Sequence, residues 1–299
     1  MGHIITDLKE AFRRGNVYIQ LIFINVGVFV VTTLIGILLQ LFNRSAAGIF
    51  ELLALPASFT RFMWQPWSIF TYMFMHAGFL HILFNMLWLY WFGSLFLYFF
   101  SGKHLRGLYI VGGICGGLLY MISYNVFPYF RPMTAYSTMV GASASVLAIV
   151  VATAYREPNY PVRLLFFGNV RLKYLALIVV LTDLFFITSS NAGGHIAHLG
   201  GALAGLWFAA SLNKGKDITS WVNKALDAIA ALFSAKTWKR KPKMKVHYGN
   251  NTRQNDYDYN ARKKAQSDEI DRILDKLKKS GYESLTTEEK KSLFDASKR

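Results

Sequence analysis

Ser143, His198, His81 and Asn85 are the residues from which this chain can build chemistry. Ser143 lies in Gly141-Ala142-Ser143-Ala144, His198 in Ala197-His198-Leu199-Gly200-Gly201, and the other two in His81-Ile82-Leu83-Phe84-Asn85. Each sits near the start of an apolar stretch. Polar groups are expensive in lipid, so several at one depth mark a candidate site. A serine hydroxyl becomes a nucleophile when a base takes its proton, and a neutral imidazole does this near neutral pH. The oxyanion formed on attack needs donors, and the candidates are the Asn85 amide, the His81 imidazole and the Ser143 backbone N–H. Taken singly, each residue is more simply a packing or bracing group, His76 and His195 included. Asp183 is read as structural or hydrating support rather than as part of a triad. A Ser143–His198 dyad is the economical reading.

The elements that must position these residues are membrane helices. The chain has 299 residues, 53% of them hydrophobic, and a mean hydropathy of +0.28. Apolar runs approach the ~20 residues that a crossing helix needs. They cover roughly Val17–Phe42, Ile82–Phe100, Leu105–Tyr124, Val140–Tyr155, Leu172–Thr188 and Ile196–Leu212. The expected fold is an all-α membrane protein, a bundle of six transmembrane helices. His81 and Asn85 are four apart and share a helix face. Gly201 and Gly205 follow His198 at the spacing that lets helix backbones approach closely. Small residues at 141, 142, 144 and 148 would receive them and bring Ser143 toward His198.

Net charge is +16. Lys and Arg concentrate in cytoplasmic loops and set orientation. Lys9, Arg13 and Arg14, then Lys103 and Arg106, then Arg156, Arg163, Arg171 and Lys173 fall on one side. Only Arg44, Arg61 and Arg131 fall on the other. Both termini are therefore expected in the cytoplasm, and the second, fourth and sixth spans run the same way. All four site residues then lie in the outer half of the membrane. The polar first 16 residues and the long first apolar run predict a retained anchor, not a cleaved leader. The lone Cys115 rules out an intrachain disulfide and is read as a small apolar residue.

Residues 1–16 form a cytoplasmic arm and 17–212 the membrane domain. Within the latter, 43–80 make a long first loop rich in Trp and Phe, lying in the membrane interface. Pro66-Trp67 is read as leading into the second span. Residues 213–235 form an amphipathic helix, on the membrane surface or packed on the bundle. Residues 236–266 are read as a basic flexible linker attracted to anionic lipid, not to nucleic acid. Residues 267–299 form a small helical hairpin, with Gly281 ending one helix and Thr286-Thr287-Glu288-Glu289 boxing the start of the next.

The chain resembles the rhomboid family of intramembrane serine proteases. The resemblance rests on Pro66-Trp67 and Thr71 before His76, His81-x-x-x-Asn85-Met86, Gly141-x-Ser143, and Ala197-His198-x-x-Gly201-x-x-x-Gly205. It covers about Tyr18 to Leu212. It implies Ser143 as nucleophile, His198 as general base, and His81 and Asn85 at the oxyanion, with His76, Gly141, Gly201 and Gly205 in support. It implies an enzyme that cuts in or beside the transmembrane helix of single-span or polytopic membrane proteins, without metal or cofactor. The setting expected is a bacterial inner (plasma) membrane. Ala144 stands where the family usually has glycine, Leu147 where many members have an aromatic, and the common Trp-Arg pair of the first loop is missing. The main alternative is a non-catalytic rhomboid-like protein that binds membrane clients. A metal site of His76, His81, His195 and His198 is set aside because no carboxylate or thiol accompanies them at ligand spacing. A lipid hydrolase using the same dyad is a weaker alternative.

Overall fold

A computed structural model describes residues 10, 12, 15–164, 168–232 and 252–297. The chain is mostly helical and divides into two compact units, Met1–Thr237 and Trp238–Arg299. Among the described residues of the first unit four helices are long and apolar enough to cross a membrane: α1 (Val17–Leu41), α5 (Phe79–Phe99), α6 (Gly102–Val126) and α9 (Ala192–Asn213). Leu34, Leu38, Ile178 and Leu203 are among many large apolar side chains left exposed, as a lipid-facing surface requires. The other two apolar runs form shorter helices, α7 (Ser143–Arg156) and α8 (Leu172–Phe185), of 14 residues each. At ~1.5 Å per residue each reaches about 21 Å, less than the ~30 Å hydrocarbon layer. The fourth run therefore begins with backbone that is not helical, and Ser143 rather than Val140 is the first helical residue.

Such backbone is tolerated at membrane depth only where protein encloses it. The first loop supplies the enclosure. It folds as α2 (Ala47–Leu53), β1 (Leu55–Pro56), α3 (Phe59–Trp64) and α4 (Ser68–Thr71), followed by a 3-10 turn. Pro66-Trp67 therefore leads into α4, and the spanning helix α5 starts only at Phe79. The loop is tied internally by Gln65 Nε2 to the Ala54 carbonyl (3.3 Å), Trp67 Nε1 to the Leu52 carbonyl (3.0 Å) and Thr71 Oγ1 to the Leu53 carbonyl (2.7 Å). β1 pairs antiparallel with β2 (Thr138–Met139), with Leu55 opposite Met139. The loop thus holds the segment that enters Ser143.

The centre of the bundle is made of small residues. α9 packs most extensively on α7 and α6. A Cβ added at Gly201 or Gly205 would drive into the Ala144 or Ala148 carbonyl oxygen. One at Gly116 would lie 2.6 Å from the Ala144 Cβ, and one at Gly200 2.6 Å from the Cys115 carbonyl oxygen. α7 is buried continuously from Ala144 to Ala154. α1 and α8 sit at the periphery, each burying only three residues. In α1 the buried Asn25 bonds the Tyr109 hydroxyl at 3.0 Å, and Tyr109 donates to the Met73 carbonyl at 2.9 Å.

α7 and α8 are joined by a hairpin of β3 (Pro161–Leu164) and β4 (Gly168–Arg171). α10 (Ser220–Leu232) packs on α6. Asn223 accepts from Arg106 at 2.9 Å and donates to the Lys103 carbonyl at 3.1 Å, while Gly107 accommodates Thr219. Trp221, Ile229 and Leu232 remain exposed.

The second unit contains α11 (Thr252–Ser280) and α12 (Thr287–Ser297). α11 starts inside the segment read as a linker; Arg, Lys, Gln and Ala there are good helix formers and extend the helix backwards. The basic run from Lys236 to Lys245 lies outside the described residues, as do Lys9, Arg13 and Arg14. At the start of α12, Glu289 accepts from the Thr286 N–H at 2.8 Å and from Lys276 Nζ at 2.8 Å.

Gly201→Ala should separate α7 from α9 and destabilise by about 1–3 kcal/mol, the usual range for overpacking. Gly48→Ala, where nothing lies within 4 Å of the added carbon, should not. Thermal unfolding of the two variants in detergent checks the difference.

Candidate active site

Ser143 occupies the first position of α7. The first N–H groups of a helix have no intrahelical acceptor and carry the positive end of the helix dipole. The Ser143 backbone N–H is therefore of the kind that stabilises an anion beside its own Oγ. The turn before it depends on Gly141, whose φ is +136°. A side chain there would be strained, and its Cβ would lie 2.9 Å from His81 Nε2 and 3.6 Å from Ser143 Oγ. The Gly141 N–H donates to the Tyr72 carbonyl at 2.9 Å, which anchors the turn to the first loop.

His81 and Asn85 stand on one face of α5. The Ala77 N–H donates to His81 Nδ1 at 3.4 Å. That contact favours the tautomer with the proton on Nε2, the atom nearest the space at Gly141. Asn85 is buried and donates one amide hydrogen to the His81 carbonyl at 2.8 Å, which leaves the second for another acceptor. Two cavities meet at this point. One, of about 520 Å³, is lined by His81, Asn85, Ser143 and His198, with Tyr120, Asn191 and Gly194 among its walls. The other, of about 210 Å³, is lined by Phe84, Trp88, Val146, Leu147 and Val179, and again by Asn85, Ser143 and His198. Leu147 is thus part of the apolar wall. His198 rises from the first turns of α9, and the glycines after it bring that helix onto α7.

Asp183 departs from the sequence reading. Its Oδ1 lies 2.9 Å from His198 Nδ1 and 2.8 Å from His195 Nδ1. The carboxylate therefore meets the histidine proposed as base, and His195 belongs to the same cluster. A carboxylate does accompany two of the histidines in space, although not at ligand spacing in the sequence. One donor atom from each of Asp183, His195 and His198 falls within 4.8 Å of the others, close enough to share an ion. Their arrangement here is a shared hydrogen bond. The available signal was spacing: Leu172, Ala176 and Asp183, four and seven residues apart, form the one buried face of α8.

His76 lies in the segment before α5, buried against His81 with ring centroids 5.1 Å apart. Burial, with the neighbouring His81 second, lowers its pKa to about 4. The unfolded chain binds that proton near 6.5 and the folded chain only near 4, so protons in this window favour unfolding. Stability should be intact above about pH 6.5 and fall on acidification toward 4 by up to ~1.4 kcal/mol per pH unit. Melting curves from pH 7.5 to 4.5 should show that slope, flattened in His76→Phe.

The Rhomboid domain family model matches residues 63–214, and a second model, Family of unknown function (DUF6576), matches residues 254–299. RHOMBOID-like protein 12, mitochondrial, of Arabidopsis thaliana is 28% identical over 158 residues, which are 50% of this chain and 47% of that protein. The chain spans about half the length of that curated relative. The first model covers the turn at Gly141, the short helix that begins at Ser143, and the glycine-packed helix that carries His198. By that match this integral membrane protein belongs to the rhomboid family.

Proposed function

We propose that this chain is an intramembrane serine endopeptidase that hydrolyses a peptide bond in or beside the transmembrane helix of a membrane-anchored substrate. The observation that carries the reading is the common wall: Ser143, His198 and Asn85 line both cavities, and Ser143 opens a helix. Ser143 Oγ attacks the carbonyl carbon while its proton passes to His198. The oxyanion is met by the Ser143 N–H, Asn85 and His81. Collapse of the intermediate breaks the C–N bond, and His198 returns the proton to the leaving amine. Water then repeats the sequence on the acyl-enzyme. The larger, polar cavity is suited to admit that water, and the apolar one to receive a substrate side chain. A helical amide is internally hydrogen-bonded, so the substrate must unwind at the cut. Small or helix-breaking residues are expected there.

In this reading all six apolar helices belong to the membrane domain, and α7 and α8 complete their crossings with non-helical segments. The excess of Lys and Arg on one side supports cytoplasmic termini at a plasma membrane. The substrates are single-span or polytopic membrane proteins.

The test is cleavage of a model single-span substrate in lipid, with a chelator present. Wild type should cleave, and Ser143→Ala and His198→Ala should not. Asn85→Ala should lower kcat by about 10²–10³-fold, the usual loss of one oxyanion donor. No cleavage by folded wild type across several substrates would move the assignment to a client-binding rhomboid-like protein. Cleavage surviving in Ser143→Ala would remove the dyad.

A further inference from the structure

We propose that Asp183 is a positioning residue for His198, so that the Ser143–His198 dyad of this chain is oriented by Asp183, itself held in place by His195. The inference rests on the peptidase reading above and adds a member to it. Asp183 is 4% exposed, on a helix that otherwise buries only Leu172 and Ala176. A buried carboxylate is costly unless it is paired and hydrogen-bonded. Its polar partners among the described residues are the two imidazoles, both at Oδ1; Oδ2 is buried and has no hydrogen-bond partner there.

One oxygen that accepts from both Nδ1–H groups fixes two things. His198 must carry its proton on Nδ1, which leaves the Nε2 lone pair free to act as base. The carboxylate itself is held by donors on two successive turns of α9, which orients Oδ1 toward His198. When Ser143 gives its proton to Nε2, the imidazolium forms against an anion already in place. Asp183 keeps its charge throughout, and the Nδ1 proton does not move. The only proton transferred runs from Ser143 Oγ to Nε2 and on to the leaving nitrogen.

The closest isostere tests this. In lipid, Asp183→Asn should lower kcat and kcat/KM together by about 10²–10⁴-fold, the scale of a lost acid–base function, with substrate binding kept. Asp183→Glu, which restores the charge, should recover part of the loss. Labelling of Ser143 by a fluorophosphonate probe should slow in the same order. A second measurement needs no variant to fold. Nitrogen-15 shifts of histidine-labelled wild type should show His198 protonated at Nδ1 and bare at Nε2. Asp183→Asn as fast as a wild type that cleaves, or an Nε2–H tautomer at His198, would overturn this inference alone. A folded wild type that neither cleaves nor labels would overturn the peptidase reading and this inference with it.

Discussion

Backbone amides cannot be left unpaired in hydrocarbon, and this constraint organises the whole membrane unit. Most of the chain obeys it by being helical. The approach to Ser143 does not, because Gly141 turns at a φ that no helix contains. The remainder of the domain encloses that exception. β1 pairs with β2, the Tyr72 carbonyl takes the Gly141 N–H, and the first loop closes over both with its own internal hydrogen bonds. The loop is best understood as the wall that permits irregular backbone beside a helix terminus.

The second requirement is short distance between helices. Lipid tails are as apolar as leucine, so large side chains gain little by facing each other across two membrane helices. α7 and α9 instead meet backbone to backbone through Gly201 and Gly205. That contact fixes where the first turns of each helix stand relative to one another. Ser143 and His198 both lie in those turns, so the packing of the bundle and the geometry of the site are one problem. A methyl group in the seam would be felt in both.

Much of this was legible from sequence, and the exceptions have physical reasons. Long apolar runs identify α1, α5, α6 and α9 because length and composition suffice. The small residues after His198 and around Ser143 announce a close helix crossing for the same reason. The start of α7 was placed at Val140, since an apolar run does not reveal that a glycine within it breaks the helix. The start of α11 was placed too late, because a polar helix without an apolar face looks like a linker. The contact between Asp183 and His198 was missed because it joins two helices, and pairing depends on how α8 is rotated. Leu172, Ala176 and Asp183 share a face, but Leu, Ile and Val on every other side of α8 hide it. What the sequence shows of a polar residue in lipid is its expense; which neighbour offsets that expense is a property of the assembled fold.

The place of Asp183 has a mechanical consequence. It sits on α8, a peripheral helix of 14 residues that buries little else, yet it reaches the centre of the site. As one of the six proposed crossings, a helix so short would be poorly matched to a bilayer of ordinary depth, and mismatch is relieved by tilt or by local thinning. Any tilt of α8 changes the distance from its carboxylate to the imidazoles, while Ser143 and His198 stay locked in the glycine seam. In the proposed mechanism, bilayer thickness and lateral pressure thereby become variables of the proton-transfer geometry, transmitted by one peripheral helix.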